Sequence, residues 1–190
     1  MLLEQTEKAK YESMWRDVPD YRDRSPGEEN VQRFWDIMKP NAGDTLIDIG
    51  CGTGVAGLEF MNRDLNVKWI DITDAGLLPE IWRESFIQAT LWSRWTNEWK
   101  HGFDYGFCCD VMEHIPPEYT MLVIDRILSV CRTTWFQIAL LPDSHGVSIG
   151  QTLHLTVKPF NWWLERLRSA GNVVDARDLC GRALYVVRAK

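Results

Sequence analysis

Two carboxylates and three glycines within a short stretch are the residues best suited to chemistry. Asp48 lies in the apolar run at 46–49, glycines occupy positions 50, 52 and 54, and Asp71 follows Asp48 by 71 − 48 = 23 residues. Because glycines have no Cβ atoms, they permit a tight turn and let a ligand lie against the amides that begin a helix. A carboxylate at the end of the next strand can bind both hydroxyls of a ribose. The pattern therefore suits an adenosine ligand that lacks phosphates.

Other glycine loops fit this stretch less well. The Lys-Ser/Thr pair of a phosphate-binding P-loop is missing, and the spacing G-x-G-x-G differs from the G-x-G-x-x-G of dinucleotide enzymes. A tight strand-to-helix turn without any ligand is the structural alternative. An NAD-dependent oxidoreductase is a remote one.

Four segments together resemble one known family. They are "LIDIGCGTG" at 46–54, "VKWIDIT" at 67–73, "FDYGFCCDVMEHIPP" at 103–117 and "HLTVKPFNWWLERLRSAG" at 154–171. These segments are similar to the motifs of the class I S-adenosylmethionine-dependent methyltransferases, in particular those that act on small molecules. The resemblance covers roughly residues 40 to 190, and the combination is specific where each piece alone is not.

The resemblance implies a cofactor site, with S-adenosyl-L-methionine as methyl donor and S-adenosyl-L-homocysteine as product. By position, the methionine part would be held by Asp48, Gly50, Cys51, Gly52, Thr53 and Gly54. Asp71 would bind the ribose, with Ile72 against the adenine, and Asp110 and Val111 would border the methyl group. The acid that often follows the third strand of the family is replaced by "QATL", so Thr90, Leu91 or backbone groups take its place at the adenine.

Histidines supply the candidates for acid–base catalysis. His154 lies in the loop after the fifth predicted strand, which faces the predicted cleft, and a neutral imidazole can take a proton near pH 7. His114 is a second candidate, with shaping of the loop after the fourth strand as its structural alternative. His145, beside Asp143 in "PDSHG", is a third.

The arm before the glycine loop contains candidates for a lid. Tyr11 and Trp15 are one helical turn apart, and Arg22 or Arg24 can meet a carboxylate, although an amphipathic helix packed on the sheet explains the same pattern. Trp162 and Trp163 diverge by about 100° on a helix, so one is expected in the core and Trp162 is a candidate for stacking on an acceptor.

Alternating strand and helix patterns predict a Rossmann-like, doubly wound α/β sheet of seven strands. The predicted strands are 45–49, 66–72, 85–90, 103–111, 133–141, 172–177 and 183–189. The predicted helices are 4–16, 28–38, 55–62, 119–130 and 160–171, and 17–27 is predicted as a loop. The last two strands are close in sequence, so the mostly parallel sheet should end in an antiparallel hairpin.

Length and composition indicate how many domains to expect and which partners to exclude. The 190 residues suit one compact unit, with an N-terminal arm at 1–39 and a cofactor-binding domain at 40–190. The five cysteines lack zinc-site spacing, so no metal is expected. A net charge of −6 disfavours nucleic acid, and no apolar stretch is long enough for a signal peptide or membrane span, which predicts a cytoplasmic protein.

The predicted activity is transfer of a methyl group to an oxygen or nitrogen of a small molecule or sugar. A methyltransferase-like protein that binds the cofactor without catalysis, and a nucleic-acid methyltransferase, remain as alternatives. The identity of the acceptor and the oligomeric state do not follow from the sequence.

Overall fold

The computed structural model describes residues 2–22, 25–81, 85–96 and 102–190. The helices are α1 (Leu2–Asp17), α2 (Pro19–Arg22), α3 (Pro26–Met38), α4 (Val55–Met61), α5 (Thr120–Val130) and α6 (Phe160–Ala170). The strands are β1 (Thr45–Ile49), β2 (Asn66–Asp71), β3 (Phe86–Gln88), β4 (Phe103–Cys109), β5 (Cys131–Ala139), β6 (Asn172–Asp178) and β7 (Arg182–Arg188). Short 3₁₀ turns cover Met112–His114, Pro117–Tyr119 and His145–Ile149.

The seven strands form one sheet in the order β3-β2-β1-β4-β5-β7-β6. Strands β1 to β5 are parallel, whereas β7 is antiparallel to both β5 and β6. The predicted Rossmann-like sheet with an antiparallel hairpin is therefore confirmed. Because the chain turns to opposite sides of β1, the carboxyl ends of β1 and β4 border a crevice where ligands bind in open α/β sheets.

Apolar side chains cover both faces of the sheet. Alternate residues of one strand contribute to different faces: Leu46 packs with α3 and α4, whereas Ile47 packs with α5 and α6. Both side chains are fully buried. This double coverage explains why the parallel strands read as continuous apolar runs rather than as alternating ones.

The packing of α4 against β2 is unusually close. Gly57 lies inside α4, and a Cβ atom built at this position would stand 2.1 Å from Nε1 of Trp69. The Trp69 indole is buried and donates a hydrogen bond of 3.1 Å to the carbonyl of Gly54, which precedes α4. Glycine at 57 therefore lets the indole contact the helix backbone and hold the start of α4 in place.

Several element boundaries differ from the predicted ones. The segment 17–27 is not a continuous loop, because α2 lies within it and α3 begins at Pro26. The Ser25 hydroxyl caps α3 by accepting from the Glu28 amide at 3.2 Å, and proline suits the first helical position. β4 ends at Cys109 rather than at 111, because Asp110 takes a left-handed conformation with φ of 53°.

The contact between Gly57 and Trp69 yields a prediction for stability. An alanine normally stabilises a helix by about 1 kcal/mol relative to glycine. Gly57→Ala should instead destabilise the protein by about 1–3 kcal/mol, because its methyl group overlaps a buried indole. Urea unfolding measures the difference.

Met61→Ala is the matched control, since Met61 belongs to the same helix and is exposed. We expect this variant to stay within about 0.5 kcal/mol of the wild type. A stabilised Gly57→Ala variant would contradict the close packing.

Candidate functional site

The glycine loop between β1 and α4 has a backbone conformation that favours glycine at three positions. Gly50, Gly52 and Gly54 have φ angles of 66°, 55° and 77°. The amides of Gly50 and Cys51 both donate to the carbonyl of Ile70 on β2, at 2.8 and 3.1 Å. The loop therefore folds back on the end of β2, and side chains at these positions would add strain.

The carboxylate of Asp71 links the end of β2 to this loop. Its Oδ2 accepts from the Gly52 amide at 2.9 Å, and its Oδ1 accepts from the Thr73 amide at 3.3 Å. Burial raises the pKa of Asp71, and the bonds from these amides oppose that shift. Each carboxylate oxygen has a second lone pair, so Asp71 can hold the loop and still accept hydrogen bonds from a ligand.

Asp48 lies deeper, on β1, and is 3% exposed. Its Oδ2 accepts from the Gly57 amide at 3.1 Å, so it binds the first turn of α4. Burial raises the pKa of Asp48 to about 7, although the Gly57 bond favours the charged form. Asp48 therefore secures the base of the glycine loop.

Two cavities meet at the carboxyl ends of β1 and β4. The larger has a volume of about 850 Å³ and the smaller about 110 Å³. They share six lining residues: Trp15, Tyr21, Gly50, Gly52, Asp110 and His114. A ligand in the smaller cavity would therefore face a ligand in the larger one across the ends of these two strands.

The smaller cavity has a mostly apolar lining that includes three acids. Most of the predicted cofactor residues line it, namely Gly50, Gly52, Asp71, Ile72, Thr90, Leu91, Asp110 and Val111. Glu7 of α1 also lines it, and this carboxylate is ion-paired with Lys10. Asp71, Glu7 and Asp110 are thus the acids that line this cavity.

The larger cavity has a mixed polar and apolar lining. Beside the glycine loop it is lined by Asp48, Cys51 and Thr53, and elsewhere by His114, His145 and His154. The fourth histidine, His101, lies outside the described residues. At its rim, the side chains of Leu141 and Leu179 are exposed. Its volume is within the range of about 300–1,000 Å³ that is usual for small-molecule sites.

Asp110 stands between the two cavities in a strained conformation. Its φ of 53° is uncommon for a residue with a side chain, and such strain concentrates at functional sites. The Asp110 carboxylate accepts from Nε2 of Gln137 at 3.2 Å and pairs with Arg182 at 3.5 Å. Burial raises the pKa of Asp110, while Arg182 opposes the rise.

His114 and His154 lie close together in the wall of the larger cavity. Their ring centroids are 4.8 Å apart, and the rings are perpendicular. Nδ1 of His114 lies 3.1 Å from the Leu153 carbonyl, and Nδ1 of His154 lies 2.6 Å from the Leu141 carbonyl. Burial lowers the pKa of His114 to about 3, so this ring is neutral.

Helix α1 covers the smaller cavity. The Tyr11 hydroxyl contacts Nδ1 of His114 at 2.8 Å, and the Trp15 ring lies 4.7 Å from the ring of Tyr21. At the other end, the Thr90 hydroxyl donates to Glu4 at 3.1 Å. Both predicted lid residues of α1 therefore lie over the predicted cofactor residues.

Some predicted residues lie elsewhere. Trp162 does not line either cavity: its partner Trp163 is fully buried, and the guanidinium of Arg166 lies 3.2 Å from the centre of the Trp162 ring. The stacking role of Trp162 is thus not supported, because Arg166 covers this ring. Gly54 precedes α4 and lines neither cavity, and Arg24 and the side chain of Arg22 lie outside the described residues.

Sequence reasoning missed several residues of the two cavities, including Glu7, Tyr21, Gln137 and Arg182. These residues come from α1, α2, β5 and β7, which meet only through the folded sheet. No local motif marks them.

The described helices include none that combines the length and apolar character needed to cross a membrane. No protein-family model matches the sequence, and comparison with curated proteins finds no significant match. Solved structures, in contrast, are similar over nearly the whole chain.

One of them is the 1,6-didemethyltoxoflavin-N1-methyltransferase of Burkholderia thailandensis with bound 1,6-didemethyltoxoflavin and S-adenosylhomocysteine. It has a TM-score of 0.72 and 15% identity, over 96% of this chain and 87% of that chain. The magnesium protoporphyrin IX methyltransferase of Synechocystis PCC 6803 with bound S-adenosylmethionine has a TM-score of 0.70 and 14% identity, over 97% of each chain. The chain has the class I methyltransferase fold.

The class I methyltransferase fold does not by itself decide the activity. The [4+2]-cyclase SpnF is also similar, with a TM-score of 0.69 and 14% identity over 85% of this chain and 81% of that chain. Activity therefore has to be argued from the residues of the site.

The raised pKa of Asp48 predicts a dependence of stability on pH. The pKa is about 3.9 in an unfolded chain and about 7 in the folded protein. Between these values the folded state keeps a proton that the unfolded state has lost, so stability is greatest at low pH and falls as pH rises from about 4 to about 7. The difference amounts to at most about 4 kcal/mol.

Asp48→Asn removes this ionisation and keeps an oxygen for the Gly57 amide. Urea unfolding at pH 5 and pH 8 should therefore show that the variant gains stability relative to the wild type at the higher pH. The same stability difference at both pH values would show that Asp48 is charged in the folded protein.

Proposed function

We propose that this protein is an S-adenosylmethionine-dependent methyltransferase that acts on an oxygen or nitrogen nucleophile of a small molecule. One observation carries the proposal: the smaller cavity, lined by Asp71 and the glycine loop, meets the larger cavity at Gly50, Gly52 and Asp110. Once the smaller cavity is enlarged, such an arrangement would put a nucleoside donor beside an acceptor. S-adenosylmethionine supplies a methyl group that its sulfonium already activates.

The residues of the smaller cavity fit the nucleoside half of this cofactor. Ile72, Leu91 and Val111 provide apolar surface for a base, and Asp71 provides a carboxylate for the two ribose hydroxyls. The family's usual acid after β3, which binds the adenine, is absent here. Glu7 would take its role by accepting a hydrogen bond from the exocyclic amino group of the adenine. The absence of phosphate-binding lysine or serine from the loop agrees with a nucleoside that has no phosphates.

In the larger cavity, the lining residues would position the acceptor and exclude water. Because the methyl group is already activated, alignment and desolvation can supply most of the acceleration. Asp110 and His114 border both cavities, and His154 lies beside His114. We propose that His154 assists loss of the proton from an acceptor hydroxyl or amine, with His114 as its neighbour.

The lining of the larger cavity favours a small, partly polar acceptor. Glu29, Arg33, Asp110 and Arg182 bring charges of both signs, while Leu141 and Leu179 add an apolar rim. Mixed charge gives little attraction to a phosphate backbone, which weighs against RNA or DNA. A sugar or a small heterocycle of mixed polarity is the acceptor class that we propose.

We propose that α1, the first helix of the arm at 1–39, acts as a lid. The smaller cavity, at about 110 Å³, is below the usual size of a ligand site, and α1 forms one side of it through Glu7, Tyr11 and Trp15. Movement of α1 would enlarge this cavity for a nucleoside, and its return would shield the ligand from water.

Calorimetric titration with S-adenosylmethionine, S-adenosylhomocysteine and NAD tests the cofactor. We expect saturable binding of the first two and none of NAD. Asp71→Ala should weaken the binding of S-adenosylhomocysteine by about 1.5–3 kcal/mol, because hydrogen bonds to a charged group are lost.

Asp71→Asn separates the two roles of this side chain. Its amide oxygen can still accept from the Gly52 amide, so the loop keeps its anchor while the charge is lost. An intermediate loss of affinity is expected. Unchanged affinity in both variants would remove Asp71 from the cofactor site, and binding of NAD alone would exclude the proposed activity.

His154→Ala tests the acceptor side. Once a screen for release of S-adenosylhomocysteine has found an acceptor, this variant should transfer the methyl group at least about 100-fold more slowly, which is the lower range for general acid–base catalysis. Its affinity for S-adenosylhomocysteine should stay within about twofold of the wild type. Lost cofactor affinity with an unchanged rate would contradict this assignment.

A further inference from the structure

Three potential metal ligands converge beside the point where the two cavities meet. Glu113, His114 and His154 each offer one ligand atom, and these atoms lie within 4.8 Å of one another. The sequence gives no sign of this cluster, because His154 follows His114 by 154 − 114 = 40 residues and no cysteine is involved.

The hydrogen-bond partners of the two histidines suit a proton on Nδ1 of each ring. Nδ1 of His154 can then donate to the Leu141 carbonyl, and Nδ1 of His114 can donate to the Leu153 carbonyl or to the Tyr11 hydroxyl oxygen, since a hydroxyl can also accept. In each neutral ring Nε2 then carries a lone pair. Histidine ligands of metals are held in this way, with the second nitrogen bonded to a carbonyl or carboxylate.

Glu113 contributes the third acceptor. Its side chain is fully buried, and its Oε1 accepts from the Ala139 amide at 3.0 Å. Its Oε2 is buried and has no hydrogen-bond partner among the described residues. Protonation of Glu113 would not satisfy Oε2, because the added proton would have no acceptor within hydrogen-bond distance among the described residues.

Three groups with lone pairs therefore lie within 4.8 Å of one another, and one of them, Oε2 of Glu113, has no donor among the described residues. A cation satisfies all three, since two imidazoles and one carboxylate form a common ligand set for first-row transition metals. We propose that Glu113, His114 and His154 bind one divalent transition-metal ion, through Nε2 of each histidine and Oε2 of Glu113.

The geometry needs only a small adjustment for such an ion. Ligand atoms about 2.1 Å from one metal lie roughly 3.4 Å apart in a tetrahedral site, so a separation of 4.8 Å has to shrink by about 1.4 Å. His154 is half-buried in a loop at the cavity wall, where its ring can turn. Glu113 and His114 belong to the 3₁₀ turn Met112–His114, which is packed against β5 and holds its position.

The location suggests what the ion would do. His114 and His154 line the larger cavity, so the remaining coordination positions would face the acceptor. A bound cation would hold an acceptor oxygen and lower the pKa of its hydroxyl. This role rests on the proposed methyltransferase activity, and the assistance that we assign to His154 would then act through the metal.

Titration of the purified, metal-free protein with Zn²⁺ tests the site. Cys180 is an exposed thiol that can bind zinc, so every protein in the experiment should carry Cys180→Ser. We expect one Zn²⁺ per chain, with Co²⁺ giving the visible absorption of a site with nitrogen and oxygen ligands. Mg²⁺ should bind far more weakly, because it prefers oxygen ligands.

Glu113→Gln and His154→Gln should each weaken the binding of Zn²⁺ at least about 100-fold, which exceeds the usual effect of changing a residue that only orients a ligand. His145→Gln is the control: His145 lines the same cavity and bonds to Asp143, but it lies outside the cluster. If Glu113→Gln fails to fold, as thermal unfolding would show, the half-buried His154→Gln decides the question. Absence of stoichiometric binding, or equal affinity in the variants and the control, would overturn the proposal.

Titration with S-adenosylhomocysteine on the same samples keeps the two proposals apart. Zinc binding without cofactor binding would support the metal site and contradict the methyltransferase. Cofactor binding without zinc binding would support the proposed methyltransferase and contradict the metal site.

Discussion

The hydrogen bond from the Gly52 amide to the Asp71 carboxylate connects the two strands on which the site depends. It ties the glycine loop after β1 to the end of β2, and the bonds from the Gly50 and Cys51 amides to Ile70 reinforce this link. The carboxylate is thereby fixed before any ligand arrives. Burying this charge costs free energy, and the hydrogen bonds from the surrounding amides partly offset that cost. The carboxylate still has lone pairs that can accept from a ribose.

The rest of the core supports this arrangement from below. The indole of Trp69 lies on the α4 backbone at Gly57 and bonds to Gly54, while Asp48 bonds to the Gly57 amide from the other side. Two strands and the first turn of a helix are thus held together by close contact and two buried hydrogen bonds. These contacts hold the glycine loop in one position, as accurate binding sites require.

Much of the fold followed from local patterns, because each strand and helix carries its own periodicity. β1 was predicted to the residue. The glycine loop and Asp71 were proposed from their spacing at strand ends, and Asp110 from the resemblance to a known family. What the sequence did not show depends on distant contacts. Glu7 reaches the smaller cavity only because α1 covers it. His114 and His154 meet only because the loop after β5 returns over the 3₁₀ turn that follows β4. Aspartate is one of the residue types that adopt a left-handed conformation more often than most, but this tendency alone did not predict that Asp110 ends β4 early.

The position of β7 has a consequence for how the sheet is completed. β7 pairs with β5 along one edge and with β6 along the other, although β6 comes first in the chain. In the described sheet, β7 is the only neighbour of β6 and separates it from β5. Without β7, β5 would present an open, apolar edge, which is a template for pairing with another molecule. Arg182, which pairs with Asp110 at the crevice, lies at the start of the same strand. The strand that covers the edge of β5 therefore also places this arginine beside the site.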